Sequence, residues 1–243
     1  MFHRRKGLVD GWEHIAADTW GMWRGFNADD KERLADIADW LLHHKNWEAA
    51  HGFELDETMR TTIALEAALL VLELGTEYYR EVSAIIAYPT TVLSSGVYAG
   101  PARGTVTDGV VPVLGQAHDH RGPIIIAWDE ALHGAQNPGQ GRNVVFHEFA
   151  HKLDMLDDSL DGTPPLPKDQ VARWVEVCTD VYSSLRDGEP RYPLDAYGAT
   201  NPAEFFAVAT ETFFDAPVIL GQHEPALYDI LKTFYNQDPA TRR

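Results

Sequence analysis

Two histidines four residues apart, His147 and His151, with Glu148 directly after the first, have the types and spacing for metal chemistry. The surrounding NVVFHEFAHKLDML contains no Gly or Pro to interrupt a helix. Residues four apart share a helix face, so both imidazoles can point at one ion. Glu148 is rotated from His147 by about 100°, which sets it beside the ion as a general base toward water and not as a ligand. Val145, Phe149 and Leu153 form an apolar stripe on the same segment, so this helix packs on a core and its histidine face lies beside that core or in a cleft.

A catalytic zinc ion is usually held by three protein ligands with one position open, so two histidines need a partner. Asp157, ten residues after His147, is one candidate. It requires a sharp chain reversal three residues after His151, a place usually taken by Gly with positive φ; here Asp154 occupies it. Glu204 is a second candidate. Asn201 and Pro202 read as N-cap and first residue of a helix, which puts Glu204 at the third position, where a carboxylate can also simply close its own helix. Glu211, seven residues on, lies nearly on the same face. Spacing alone leaves Glu204 and Glu211 unseparated.

The elements that position these groups follow from hydrophobic periodicity. ADDKERLADIADWLLHHKNW and LDETMRTTIALEAALLVLEL carry apolar residues at three- and four-residue spacing and read as helices. His43 and His44 end the first of them as surface residues suited to a helix C-terminus. SAIIAYP, GTVTDGVVPVL and GPIIIAW read as strands, the last buried, with the loop GAQNPGQGRN leading to the metal-binding helix. Helices return in KDQVARWVEVCTDVYSSL, NPAEFFAVATETFF and EPALYDILKTFY, with DGTPPLP between them as a loop. The expected architecture is α+β, with a small mixed sheet packed on the HEFAH helix. One domain is expected over 1–243, with a helical region over 1–80 and a catalytic core over 81–243.

Composition narrows the function. The net charge of −17 argues against nucleic acid as a partner, since phosphate contacts need a basic face. Ile63–Leu74, the longest apolar run, contains Glu66 and Glu73 and is too short to span a bilayer. No apolar segment follows the basic cluster near the N-terminus, so a cytoplasmic location is expected. The lone Cys178 excludes a cysteine-rich zinc knuckle and reads as a small buried apolar residue, not a nucleophile.

IIAYP, GPIIIAW, NVVFHEFAHKLD, YGATNPAEFFAVATETFF and LYDILKTFYNQDP carry a likeness that runs over nearly the whole chain: it resembles the Mlc titration factor A family of bacterial zinc peptidases. The block YGATNPAE also resembles the catalytic domain of anthrax lethal factor, in which a Tyr stands seven residues before a zinc-ligating Glu. The resemblance implies a zincin-like, gluzincin arrangement with His147, His151 and Glu204 on one zinc ion, Glu148 as base and Tyr197 as donor to the oxyanion. It leaves Glu211 as a helix-face or ligand-supporting carboxylate. Asp154, one turn beyond His151, reads from its position either as a carboxylate that orients a ligand or as a solvated one. The resemblance also implies aminopeptidase-like activity on short peptides and, from the family's name, a transcriptional repressor as a possible bound partner. A binding protein that sequesters such a regulator is therefore the alternative to an enzyme; the intact Glu148 favours the enzyme. One segment departs from the family pattern: GQAHDHRGP places Gln116, His118 and His120 where an acidic and an aromatic residue are usual. Alternate histidines in a turn point to solvent, so no second metal is expected there.

Overall fold

A computed structural model describes residues 5–50, 52–90, 92–99, 106–113 and 122–242. The described helices and strands run α1 (Trp12–Thr19), α2 (Ala28–His44), β1 (Asn46–Ala49), α3 (Glu57–Leu70), β2 (Ala84–Tyr88), β3 (Val92–Ala99), β4 (Val106–Val113) and β5 (Ile124–Ala127), then α4 (Trp128–Gln136), α5 (Val144–Asp154), α6 (Lys168–Arg186), α7 (Pro202–Asp215), α8 (Pro217–His223) and α9 (Pro225–Tyr235). The protein is α+β and mostly helical.

The expected single mixed sheet divides in two. Among the described residues, β1, β2 and β5 form a parallel sheet in that order, with Asn46 opposite Ala84 and Ile85 opposite Ile124. β3 and β4 pair antiparallel with each other, from Val92↔Val113 to Ala99↔Val106. The correction comes from β1. Its four residues are mostly exposed and lack an apolar alternation, so the sequence reads as the tail of a helix, yet α3 provides the crossover that a parallel neighbour of β2 needs.

The remaining elements form for legible reasons. Side chains of Asn27, Asp56, Asn143 and Asn201 accept the first free N–H groups of α2, α3, α5 and α7, and Pro202 begins α7 with a preset φ. α3 is buried on every face from Thr61 to Leu70, as a helix apolar all round must be, and it packs against α1, α2, α4 and α5. The α5 stripe behaves as its spacing requires: Val145, Phe149 and Leu153 are fully buried, and Phe149 meets Tyr79 edge-on at 4.9 Å between ring centroids. α7 is buried almost throughout, and Phe214 packs against Phe146 of α5 at 5.7 Å. That contact clamps together the two helices that carry the candidate ligands. Among the described residues no helix is long and apolar enough to cross a membrane.

Candidate metal centre

α5 presents His147 and His151 to one side, and the first turn of α7 presents Glu204 to them. The two Nε2 atoms are 3.2 Å apart, and Glu204 Oε2 lies 3.0 Å from His147 Nε2 and 3.6 Å from His151 Nε2. Among the described residues these three form the one cluster of histidine, cysteine or carboxylate groups whose ligand atoms all fall within 4.8 Å of one another. Glu204 keeps its place as the third residue of α7, its N–H donating to Asn201 Oδ1 at 3.0 Å, but its carboxylate faces the imidazoles.

Glu211 does a different task two turns later. Its Oε1 is 2.7 Å from His147 Nδ1, and its Oε2 accepts the backbone N–H of Asn143 at 2.6 Å. The Glu211 contact makes Nδ1 the protonated nitrogen of a neutral His147, leaving the Nε2 lone pair aimed at the Glu204 carboxylate. Two electron-pair donors 3.0 Å apart repel unless a cation or a proton lies between them. Where no cation takes that place a proton does: burial opposes a charge on His147, yet Glu204 and Glu211 hold its pKa well above the ordinary histidine value. Burial likewise opposes charge on Glu204, and hydrogen bonds from His147 and His151 outweigh it, holding the carboxyl far below its usual range. The donor set thus suits a divalent cation by chemistry as well as by distance.

Glu148 points into the same cleft. It is 2% exposed, its Oε2 has no hydrogen-bond partner among the described residues, and burial raises its pKa above the usual carboxylate value despite the two imidazoles nearby. A buried carboxylate with a free oxygen and a raised pKa is suited to take up a proton. Tyr197 sits in a 3-10 turn at Ala196–Ala199, its ring 6.1 Å from that of His147. Burial, then the carboxylates of Glu204 and Glu148, push its phenol up to about 12, so it remains a proton donor at neutral pH. Asp195 holds this turn: its Oδ1 accepts the Tyr197 N–H at 2.8 Å, and its Oδ2 accepts from the Arg142 guanidinium, which also lines the cleft. The cleft has a volume of about 910 Å³, and Glu130, His133 and Asn137 also line it.

The other sequence candidates fall elsewhere. Asp157 is exposed and caps its own turn, accepting from Ser159 N and Oγ. Asp154 is still right-handed helical, and the left-handed residue is Asp158 (φ 67°), so the chain reverses too late to return Asp157 to the metal. Asp154 is wholly buried one turn beyond His151; its Oδ2 accepts the Gly162 N–H at 2.9 Å, anchoring the DGTPPLP loop. Gly162 is required there: φ is +79°, and a Cβ would lie 2.3 Å from the carbonyl oxygen of Pro202 at the start of α7. Burial pushes the Cys178 thiol up to about 12, which leaves it unreactive. His43 and His44 end α2 at the surface as expected. His118 and His120 lie outside the described residues.

The family model for glucose-regulated metallo-peptidase M90 matches residues 2–236. The chain belongs to that family. Mlc titration factor A of Serratia proteamaculans (strain 568) is 36% identical over 219 residues, covering 88% of this chain and 82% of that protein. Mlc titration factor A of Salmonella agona (strain SL483) is 36% identical over 221 residues with the same coverage of each. An uncharacterized protein of Synechocystis sp. is 32% identical over 240 residues, 97% of this chain and 86% of its own length. The likeness to the Mlc titration factor A family over nearly the whole chain is therefore borne out, and M90 membership implies a metal cofactor, which the group of His147, His151 and Glu204 could hold.

Sequence reasoning did not find Asn143, Asp195 or Arg142. Asn143 follows a Gly-rich loop directly before the apolar opening of α5, an N-cap signature that would have marked it. The Arg142–Asp195 pair spans fifty-three residues and leaves no local signal.

Proposed function

We propose that this M90 protein is a zinc-dependent peptidase of the gluzincin type, built on a zincin-like fold as one unit over 1–243, with aminopeptidase-like action on short peptides. The observation that carries this reading is the meeting of three lone-pair donors, from His147, His151 and Glu204, beside the unpartnered oxygen of Glu148. Zinc held there would supply a Lewis acid that acidifies water and polarises a carbonyl. Glu148 takes the proton of the attacking water and returns it to the leaving amine. Tyr197 donates its hydroxyl to the oxyanion as charge develops. Glu211 keeps the His147 ring turned so that Nε2 faces the metal position. β5 pairs only with β2 among the described residues, which leaves its other edge to receive an extended peptide as an added strand. We place this activity in the cytoplasm, where the single Cys178 stays reduced.

The relatives' name supports a second role, capture of the transcriptional repressor Mlc or a counterpart, alongside or in place of hydrolysis. Zinc content and hydrolysis of short peptide anilides by the wild type, Glu148→Gln and Glu204→Ala separate the readings. Glu148→Gln should keep zinc while kcat drops about 10²–10⁴-fold, and Glu204→Ala should lose zinc. A wild type that holds zinc and cleaves nothing, or a fully active Glu148→Gln, would remove the peptidase reading and leave the binding role.

A further inference from the structure

Glu66 is an acid without an evident reason to be where it is. It lies in α3 within an almost wholly apolar stretch, its side chain is 0% exposed, and its Oε2 has no hydrogen-bond partner among the described residues. Burying a carboxyl group in a core is costly unless its partners repay it. Among the described residues its hydrogen-bond partner is the amide Nδ2 of Asn143, which donates to Oε1 across seventy-seven residues of sequence.

Asn143 stands at a junction. Its Oδ1 accepts the Phe146 N–H at 2.9 Å as the N-cap of α5, its carbonyl accepts the His147 N–H at 3.0 Å, and its own N–H donates to Glu211 Oε2 at 2.6 Å. The cap turns the Asn143 oxygen toward the Phe146 N–H and leaves the amide nitrogen facing α3, where a buried donor needs an acceptor. Glu66 Oε1 supplies it, so both ends of the amide are held at once. Gly134 of α4 keeps the space clear: a Cβ there would come within 3.3 Å of the Asn143 Cα.

We propose that Glu66 is a positioning residue for the metal centre, acting through Asn143 to fix the start of α5, the Glu211 carboxylate and hence the His147 ring. Burial raises the Glu66 carboxyl to about 8, so it remains largely a neutral acid in a core where a free charge would be costly. The inference rests on the metallopeptidase reading above. It extends the support of a ligand one step further than the carboxylate that touches it, and joins the N-terminal helices to the site.

The test is zinc affinity by competition with a chromogenic chelator, with thermal unfolding of the zinc-free proteins measured alongside. Asn143→Ser keeps the capping oxygen and removes the donor to Glu66; Glu66→Leu removes the acceptor. Each should weaken zinc binding about tenfold or more, in line with losses on removing groups that orient a ligand. The double variant should be no weaker than the worse single one, because both cut the same link. Glu66→Gln retains an acceptor and should stay close to wild type. Asn143→Ser with wild-type zinc affinity overturns the proposal even if Glu66→Leu fails to fold. So does a pair of variants that lower the unfolding temperature while zinc affinity is unchanged, or losses that simply multiply. A wild type that takes up no zinc brings down the peptidase reading as well; tight wild-type zinc with unaffected variants brings down the Glu66 link alone.

Discussion

The two ends of α5 hold their histidines by different means. At the N-terminal end His147 is gripped on both nitrogens, Nε2 facing Glu204 and Nδ1 held by Glu211, and Glu211 is itself tied to Asn143. At the C-terminal end His151 has its Nδ1 buried without a partner among the described residues. The nearby acid there, Asp154, spends its Oδ2 on the loop at Gly162. Both imidazoles turn Nε2 toward Glu204, but only His147 is also held at Nδ1; the Nδ1 side of His151 is set by packing around a buried helix turn. The contrast shows where the site can be tuned. Electrostatic changes should matter most near His147, and changes in packing should matter most near His151.

The largest effect on this comparison concerns Tyr197, which stands on the His147 side. Tyr197→Phe keeps the ring beside the imidazole and removes only the hydroxyl, so kcat should fall about 10²–10³-fold, as for loss of one oxyanion donor, while zinc content stays the same. A variant within a few-fold of wild type would make Tyr197 a packing residue only. Next comes a direct contest between the two supporting acids. Glu211→Ala should weaken zinc about 10–100-fold, whereas Asp154→Asn, which keeps an acceptor for Gly162, should leave zinc affinity near that of the wild type. Equal losses from the two would mean that His151 is oriented by Asp154 after all, and the asymmetry would be gone.

The histidine half of the candidate site was legible because its pattern is local. The opening of α5 at Val144 and the Asn201–Pro202 start of α7 follow from periodicity and caps, and both histidines fall on one face because four residues make little more than one turn. The choice between Glu204 and Glu211 was not legible from spacing, because both lie on one face of α7. Only the lateral placement of α7 against α5 gives one carboxylate to Nε2 and the other to Nδ1. β1 was hidden because its residues are mostly exposed, and α4 because a Gly-rich loop masked the short helix before it. Glu66 read only as a charge interrupting an apolar run. Its partner lies seventy-seven residues away, and no periodic pattern carries information over that distance.

The smallest effects compare the buried acids at the two ends by pH. Glu66 is raised to about 8 and Asp154 to about 6, in both cases chiefly by burial. For a group whose folded pKa is raised, the favourable contribution is complete below its unfolded pKa and is lost as pH climbs through the folded one. Wild-type protein therefore gives up stability between about pH 4 and 6 on account of Asp154, and between about pH 4.5 and 8 on account of Glu66. Replacing either acid by its amide removes that loss. With zinc saturating throughout, Glu66→Gln should gain on wild type steadily up to about pH 8. Asp154→Asn should reach its full gain by about pH 6. Each gain should be about 1–2 kcal/mol, a fraction of the full worth of the displaced pKa because the surroundings relax around an ionised acid. Chemical denaturation at a series of pH values reads both. If the Glu66→Gln curve levels off as early as that of Asp154→Asn, the acid behind α5 ionises as easily as the one at its C-terminus. The two ends would then differ in hydrogen bonding alone and not in how deeply their charges are buried.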